Sequence, residues 1–218
     1  MSYLNWPVSK IAAEVPGASN IFFQYKVNFC RDNEQTLAQA LSQHNLEPTE
    51  FISELMALEP DISTTDWQAL NNDKLIEQIL LRFHQVHRQQ LSELQALAQQ
   101  VENVHSDHPL CPKGLAKHLH DIAIELEQHM QKEEMILFPM LAQNANAAVF
   151  GPISVMKAEH HDHFSEIEKI YQLCHTLLPH QGACNTWQSL YQGLQQFISD
   201  LNLHIHIENN ILFKRAQC

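Results

Sequence analysis

His129-Met-Gln-Lys-Glu133-Glu-Met-Ile-Leu-Phe-Pro139 is the stretch whose reading decides the fold, and it has an echo in His204-Ile-His-Ile-Glu208-Asn-Asn-Ile-Leu-Phe-Lys214. Each copy sets a histidine and a glutamate four residues apart, then Ile-Leu-Phe at the same offset. Residues i and i+4 share one helix face, so each copy offers an imidazole and a carboxylate to the same point of a core. Two such copies in one chain imply a metal site assembled from both halves of a helical bundle.

The repeat extends upstream. His84 precedes His129 by 45 residues, and His160 precedes His204 by 44. Each half therefore reads as a helical hairpin with a lone histidine on its first helix and His-x-x-x-Glu on its second. Apolar periodicity supports this: Leu75, Ile79, Phe83, Val86, Leu94, Ala98 and Val101 recur every three or four residues, predicting a helix from about Asn72 to His105. A second runs from about Lys113 to Gln143, where Pro139 implies a kink or an early end. A third covers about Ile153 to Leu177 and a fourth about Asn185 to Lys214. Four long helices with short breaks describe an all-α, up-down-up-down four-helix bundle.

Ahead of the bundle, residues 1–60 read as a small helical domain. Short helices are expected over Val8–Val15 and Ser19–Tyr25, from Thr36 to about His44, and from Pro48, with Phe51, Ile52, Leu55 and Met56 on one buried face. A polar, turn-rich linker is placed at 61–71, and the bundle at 72–218. The chain has 218 residues, only five glycines and a net charge of −12, which argues against nucleic acid or an anionic membrane as a partner. The N-terminus lacks the basic start and apolar run of a signal peptide, and no apolar run is long enough to span a membrane. Five cysteines without a Cys-x-x-Cys pair fit a reducing cytoplasm.

His84, His129, His160, His204, Glu133 and Glu208 make a six-ligand set. Two carboxylates can bridge a pair of metals while each metal takes two imidazoles. Such donors suit iron, with manganese or zinc compatible, and exclude a thiolate site. An octahedral ion would keep positions open for a bridge and for a small diatomic such as O2 or NO. A ferritin-like site would instead carry Glu-x-x-His pairs. A single His-x-x-x-Glu is commonly an exposed helix pair; the doubling is what points to metal. Glu125 lies one turn before His129, Glu159 precedes His160, and His87 lies one turn from His84; each is a candidate to hydrogen-bond a ligand imidazole, with a solvated surface role as the plain alternative. His161, His163 and His206 are expected to face outward, while Ile136, Leu137, Phe138, Ile211, Leu212 and Phe213 are expected to pack the core.

At these residues the chain resembles the RIC (repair of iron centres) family of YtfE/ScdA/DnrN-type di-iron proteins, whose C-terminal part is hemerythrin-like. The matching stretches are Arg82-Phe-His84, Pro112-Lys-Gly-Leu115, His129-Met-x-Lys-Glu133-Glu-x-Ile-Leu-Phe-Pro139, Gly151-Pro-Ile-Ser-Val-Met156, Glu159-His160 and His204-x-x-x-Glu208-Asn-Asn-x-Leu-Phe213. Val15-Pro16 and Phe29-Cys30 extend the similarity into the N-terminal segment. The resemblance implies two non-haem iron ions with oxo and carboxylate bridges, held by the same six residues. It also implies a role in restoring iron–sulfur clusters damaged by nitric oxide or oxidants, with iron donation and NO chemistry at the metals. Implied partners are damaged or apo iron–sulfur proteins and small diatomics; a homodimer is compatible with this. One departure stands out. The family's N-terminal domain carries a Cys-Cys pair, whereas this chain reads Cys30-Arg31-Asp32-Asn33, so Cys30 alone is left for metal or NO chemistry, or for simple burial. Three functions share the same site: iron-centre repair, reversible binding or sensing of O2 or NO, and reduction of NO.

Overall fold

A computed structural model describes residues 3–8, 10–11, 15, 18, 21–22, 25, 27, 35–57, 67–143, 147–175 and 177–216. Cys30, and the linker positions 61–66, lie outside the described residues. The chain divides into two compact units: Met1–Thr65 with Ile198–His206, and Asp66–Phe197 with Ile207–Cys218. The fold is all-α; the described residues contain no strand beyond one isolated antiparallel bridge, Pro7 to Thr36.

In the first unit, helix α1 (Leu37–Gln43) begins where the sequence places it. Thr36 caps it reciprocally: Gln39 N–H donates to Thr36 Oγ1 at 3.3 Å, and Thr36 N–H donates to Gln39 Oε1 at 2.9 Å. Helix α2 (Pro48–Ala57) opens on its proline, whose missing N–H costs nothing at a helix start. Phe51 and Leu55 of α2 close a core with Val8, Ile11, Phe22, Leu37 and Leu41. Met56, expected on that buried face, is 66% exposed. On a helix it lies a residue past Leu55, and the core covers only the Phe51–Leu55 side.

Four long helices follow: α3 (residues 72–104), α4 (residues 115–142), α5 (Phe150–Cys174) and α6 (residues 185–215). Gly114, at φ 90°, turns the chain into α4; a side chain would be strained in that left-handed conformation. In the second unit α3 packs along α4, and α4 against α5. The Tyr191 hydroxyl of α6 donates to the Cys174 carbonyl of α5 at 3.2 Å. Gly193 of α6 lets Leu94 of α3 come so close that an added Cβ would stand 2.8 Å from Leu94 Cδ2. Within the second unit these contacts link α3 to α4, α4 to α5, α5 to α6 and α6 back to α3. Arg215 fastens the approach to α3, donating to the carbonyls of Leu70 at 2.7 Å and Gln68 at 2.9 Å. No described helix is long and apolar enough to cross a membrane.

α4 does not end early at Pro139. A π turn, Glu133–Leu137, precedes the proline, and the helix runs on to Ala142. The backbone ladder is already shifted there, so the missing proline N–H falls where α-helical bonding has lapsed. The same widened turn leaves Ile136 54% exposed, against the expectation of core packing, while Leu137 and Phe138 are buried.

Thr36→Ala removes the Oγ1 acceptor of the α1 cap and leaves the backbone N–H arm to Gln39 in place. It is expected to weaken α1 by about 1 kcal/mol, seen as several-fold faster hydrogen exchange at Leu37–Gln43 with α3–α6 amides unchanged.

Candidate metal centre

Three of the four long helices are interrupted by a π turn, and each turn carries a candidate ligand at its edge: His84 ends Leu80–His84, Glu133 begins Glu133–Leu137, and Glu208 begins Glu208–Leu212. A π turn inserts one extra residue, bonding Gln85 N–H to Leu80 O, Phe138 N–H to Glu133 O and Phe213 N–H to Glu208 O. It widens the helix locally and rotates the later side chains, which is why such turns gather at functional sites. On α3 the buried stripe runs Leu75, Ile79, Phe83, His84, then His87, Leu91 and Leu94, so His87 rather than Val86 faces inward.

All six ligand candidates are buried, none more than 1% exposed. They form two groups whose ligand atoms lie within 4.8 Å of one another: His84, Glu133, His204 and Glu208, and His129, Glu133, His160 and Glu208. The two glutamates are common to both groups, and each group adds two imidazoles. Glu133 Oε2 stands 3.5 Å from both His84 Nε2 and His129 Nε2, and Glu208 Oε2 stands 3.2 Å from His160 Nε2. His129 Nε2 and His160 Nε2 approach to 3.1 Å.

None of the six is a lysine or an arginine. Neither Glu133 oxygen has a hydrogen-bond partner among the described residues, although the residue is fully buried. Burial first, and then the neighbouring Glu208 carboxylate, hold the Glu133 carboxyl well above the ordinary carboxylate range. Two apolar-buried carboxylates facing four imidazole nitrogens are costly as they stand and favourable around cations. The residues fit a metal pair.

Outside the six, carboxylates hold the imidazoles. His84 Nδ1 is 2.7 Å from Glu134 Oε1, which also accepts from Arg88 Nη2 at 3.0 Å. Arg88 grips Glu127 as well, donating from Nε to Oε2 at 2.7 Å, and that hydrogen bond holds the Glu127 carboxyl below the usual range. His129 Nδ1 is 2.9 Å from Glu159 Oε2, whose other oxygen accepts from Lys132. His160 Nδ1 is 3.1 Å from Asn209 Oδ1. A ring nitrogen that donates outward leaves the opposite lone pair pointing inward, the tautomer that binds metal. Phe138 lies 5.7 Å from the His84 ring, and Phe213 stacks on His160 at 6.0 Å.

Glu159, a sequence candidate, thus contacts a ligand-set histidine. Glu125 is exposed. His87 is fully buried, not at the surface; its Nδ1 meets Gln90 Oε1 at 3.1 Å and its ring lies 5.6 Å from Phe197. His161 faces outward, but His163 is only 6% exposed and meets the His129 ring edge-on at 5.0 Å, because it lies one turn beyond His160 on the same face. His206 is half-buried. Sequence reasoning missed Glu134, Arg88, Lys132 and Asn209. A signal existed: Glu134 and Asn209 each follow the glutamate of their repeat, and each meets the lone histidine of its own hairpin.

A ring of four helices around buried histidines and shared carboxylates defines a cation-binding bundle of the hemerythrin class, and residues 75–216 match the Hemerythrin HHE cation binding domain. Residues 4–59 match ScdA_N, described as a Domain of Unknown function (DUF542). Over 217 residues the chain is 44% identical to a protein of Yersinia pseudotuberculosis named "Iron-sulfur cluster repair protein YtfE", covering 99% of this chain and 98% of that one. A Yersinia pestis protein of the same name is 43% identical over the same coverage. The chain belongs to the YtfE family of iron–sulfur cluster repair proteins.

Two measurements follow from the geometry. Glu134→Ala should lower metal affinity about 10- to 100-fold, read by competition with a chelator, while far-UV circular dichroism stays unchanged. Glu133 is the stability test. Its raised folded value means the metal-free fold retains a proton the unfolded chain has lost, so metal-free stability falls as pH rises from the ordinary carboxylate range upward. Metal-free Glu133→Leu at pH 7 should therefore match or exceed the metal-free parent by about 1–4 kcal/mol in denaturant unfolding, and should lose the stabilisation that metal gives the parent.

Proposed function

We propose that this chain is a cytoplasmic di-iron protein that restores iron–sulfur clusters damaged by nitric oxide or oxidative stress, acting on damaged or apo iron–sulfur proteins by donating iron. The observation that carries the reading is the pair of overlapping His2Glu2 groups sharing Glu133 and Glu208. In this reading His84 and His204 would hold one iron and His129 and His160 the other, with Glu133 and Glu208 available to both. Bound iron supplies redox-active, partly open coordination for a small diatomic.

The chain's own residues account for the rest. Glu133 and Glu208 neutralise the metal charge in a core where water cannot. Glu134 and Glu159 orient His84 and His129 and keep their outer nitrogens protonated. Phe138, Leu212 and Phe213 exclude water from the imidazoles. The side chains of Glu134 and Glu159 are 30% and 25% exposed, so each joins a buried ligand to the surface, which suits metal that must be released as cargo.

The test starts from protein purified without added metal. Two irons per chain are expected, with the visible and near-ultraviolet bands of an iron pair; His129→Ala should remove those bands and at least half of the iron. Ferrous iron should then pass from the parent to an apo iron–sulfur protein and rebuild its cluster. A stable diatomic adduct without transfer would favour a binding or sensing role. Turnover of NO with an electron donor would favour an enzyme. No iron, or metal content indifferent to His129→Ala, would overturn the site itself.

A further inference from the structure

The second unit holds another cluster of reactive side chains, built from the end of α3 and the start of α6. Cys184 immediately precedes α6, whose first α-helical bond runs from Gln188 N–H to the Cys184 carbonyl at 3.0 Å, so its thiol sits at the N-terminal end of that helix. His105 Nε2 lies 3.2 Å from Cys184 Sγ. The imidazole is itself held in place: its ring packs 5.1 Å from the indole of Trp187, which is 1% exposed, and its backbone N–H donates to Val101 O at 2.9 Å. An exposed sulfur nucleophile, a base within hydrogen-bond reach and a third group that fixes the base are the parts of an activated thiol. The other described cysteines differ. Cys111 and Cys174 are buried, and burial pushes the Cys174 thiol up to about 12.

We propose that Cys184, with His105 as its base, is a thiol-exchange site that takes up one half of a small disulfide of the glutathione type. In the step, Cys184 Sγ attacks one sulfur of the disulfide while its proton passes to His105 Nε2. The disulfide S–S bond breaks, a new S–S bond joins Cys184 to one half, and the other half leaves as a thiolate that regains a proton. Electrons balance within the exchange: Cys184 is oxidised to the disulfide level, and the departing half is reduced to a thiol. The site uses none of the metal-centre residues, so it stands independently of the function proposed above.

The full-length protein is incubated with glutathione disulfide at pH 7, and mixed disulfides are mapped by peptide mass spectrometry. Cys184 should be modified about tenfold or more faster in the folded protein than in the same protein unfolded in urea. Cys111 and Cys174 should react only after unfolding. His105→Gln, checked for unchanged circular dichroism, should remove the advantage at Cys184, and dithiothreitol should reverse the adduct. Cys184 reacting no faster folded than unfolded would overturn the proposal, whether or not the variant folds. So would a folded His105→Gln protein whose Cys184 rate stays within about twofold of the parent.

Discussion

Two carboxylates are buried side by side, and the structure is arranged around that constraint. Glu133 and Glu208 are fully buried, and mutual repulsion adds to desolvation in holding the Glu133 proton. A core built for stability alone would place leucines there. Cations held by these carboxylates would offset that cost, and the four histidines beside them are the side chains that would complete such a donor set. The outer carboxylates, Glu134 and Glu159, are each tied to a cation of their own, Arg88 and Lys132. Carboxylates near the site are thereby layered: buried together at the centre, each paired with a lysine or arginine at the rim.

The π turns show how helices deliver side chains that ordinary helices would not. An α-helix presents one residue in three or four to a core. By inserting a residue at Leu80–His84, Glu133–Leu137 and Glu208–Leu212, the chain lets His84 follow Phe83 into the interior and lets both Glu133 and Glu134 contribute to the same centre. The cost is three stretches of irregular hydrogen bonding within the bundle. Phe83, Leu137 and Phe138, and Leu212 and Phe213, pack around those stretches and keep them dry.

Much of this was legible in the sequence because the repeat carries chemistry as well as hydrophobicity. The matched His-x-x-x-Glu segments and the lone histidines upstream single out the six residues that lie together in the core, and apolar spacing places α3 to α6 within a few residues of their ends. Periodicity cannot register an inserted residue, however. Treating α3 as one regular helix puts Val86 inward where His87 belongs, and treating α4 that way buries Ile136. Arg88 and Glu127 were illegible for another reason: they meet across two helices, and charged residues on partly exposed faces look alike until their partners are known. Met56 and His163 show the same limit in opposite directions, since what covers a helix face is decided elsewhere in the chain.

Arg215 gives the bundle a direction in time. Its guanidinium grips the carbonyls of Gln68 and Leu70, at the opposite end of the second unit's sequence. A chain emerging from the ribosome makes His84, His129 and Glu133 long before Glu208, so the first hairpin on its own carries one of the two shared carboxylates and half of the imidazoles. Neither four-residue group is complete until the last helix is made, and the clasp that secures α3 closes only after that. The full donor set in this fold is accordingly assembled only once α6 is made, with the first hairpin holding part of each group until then.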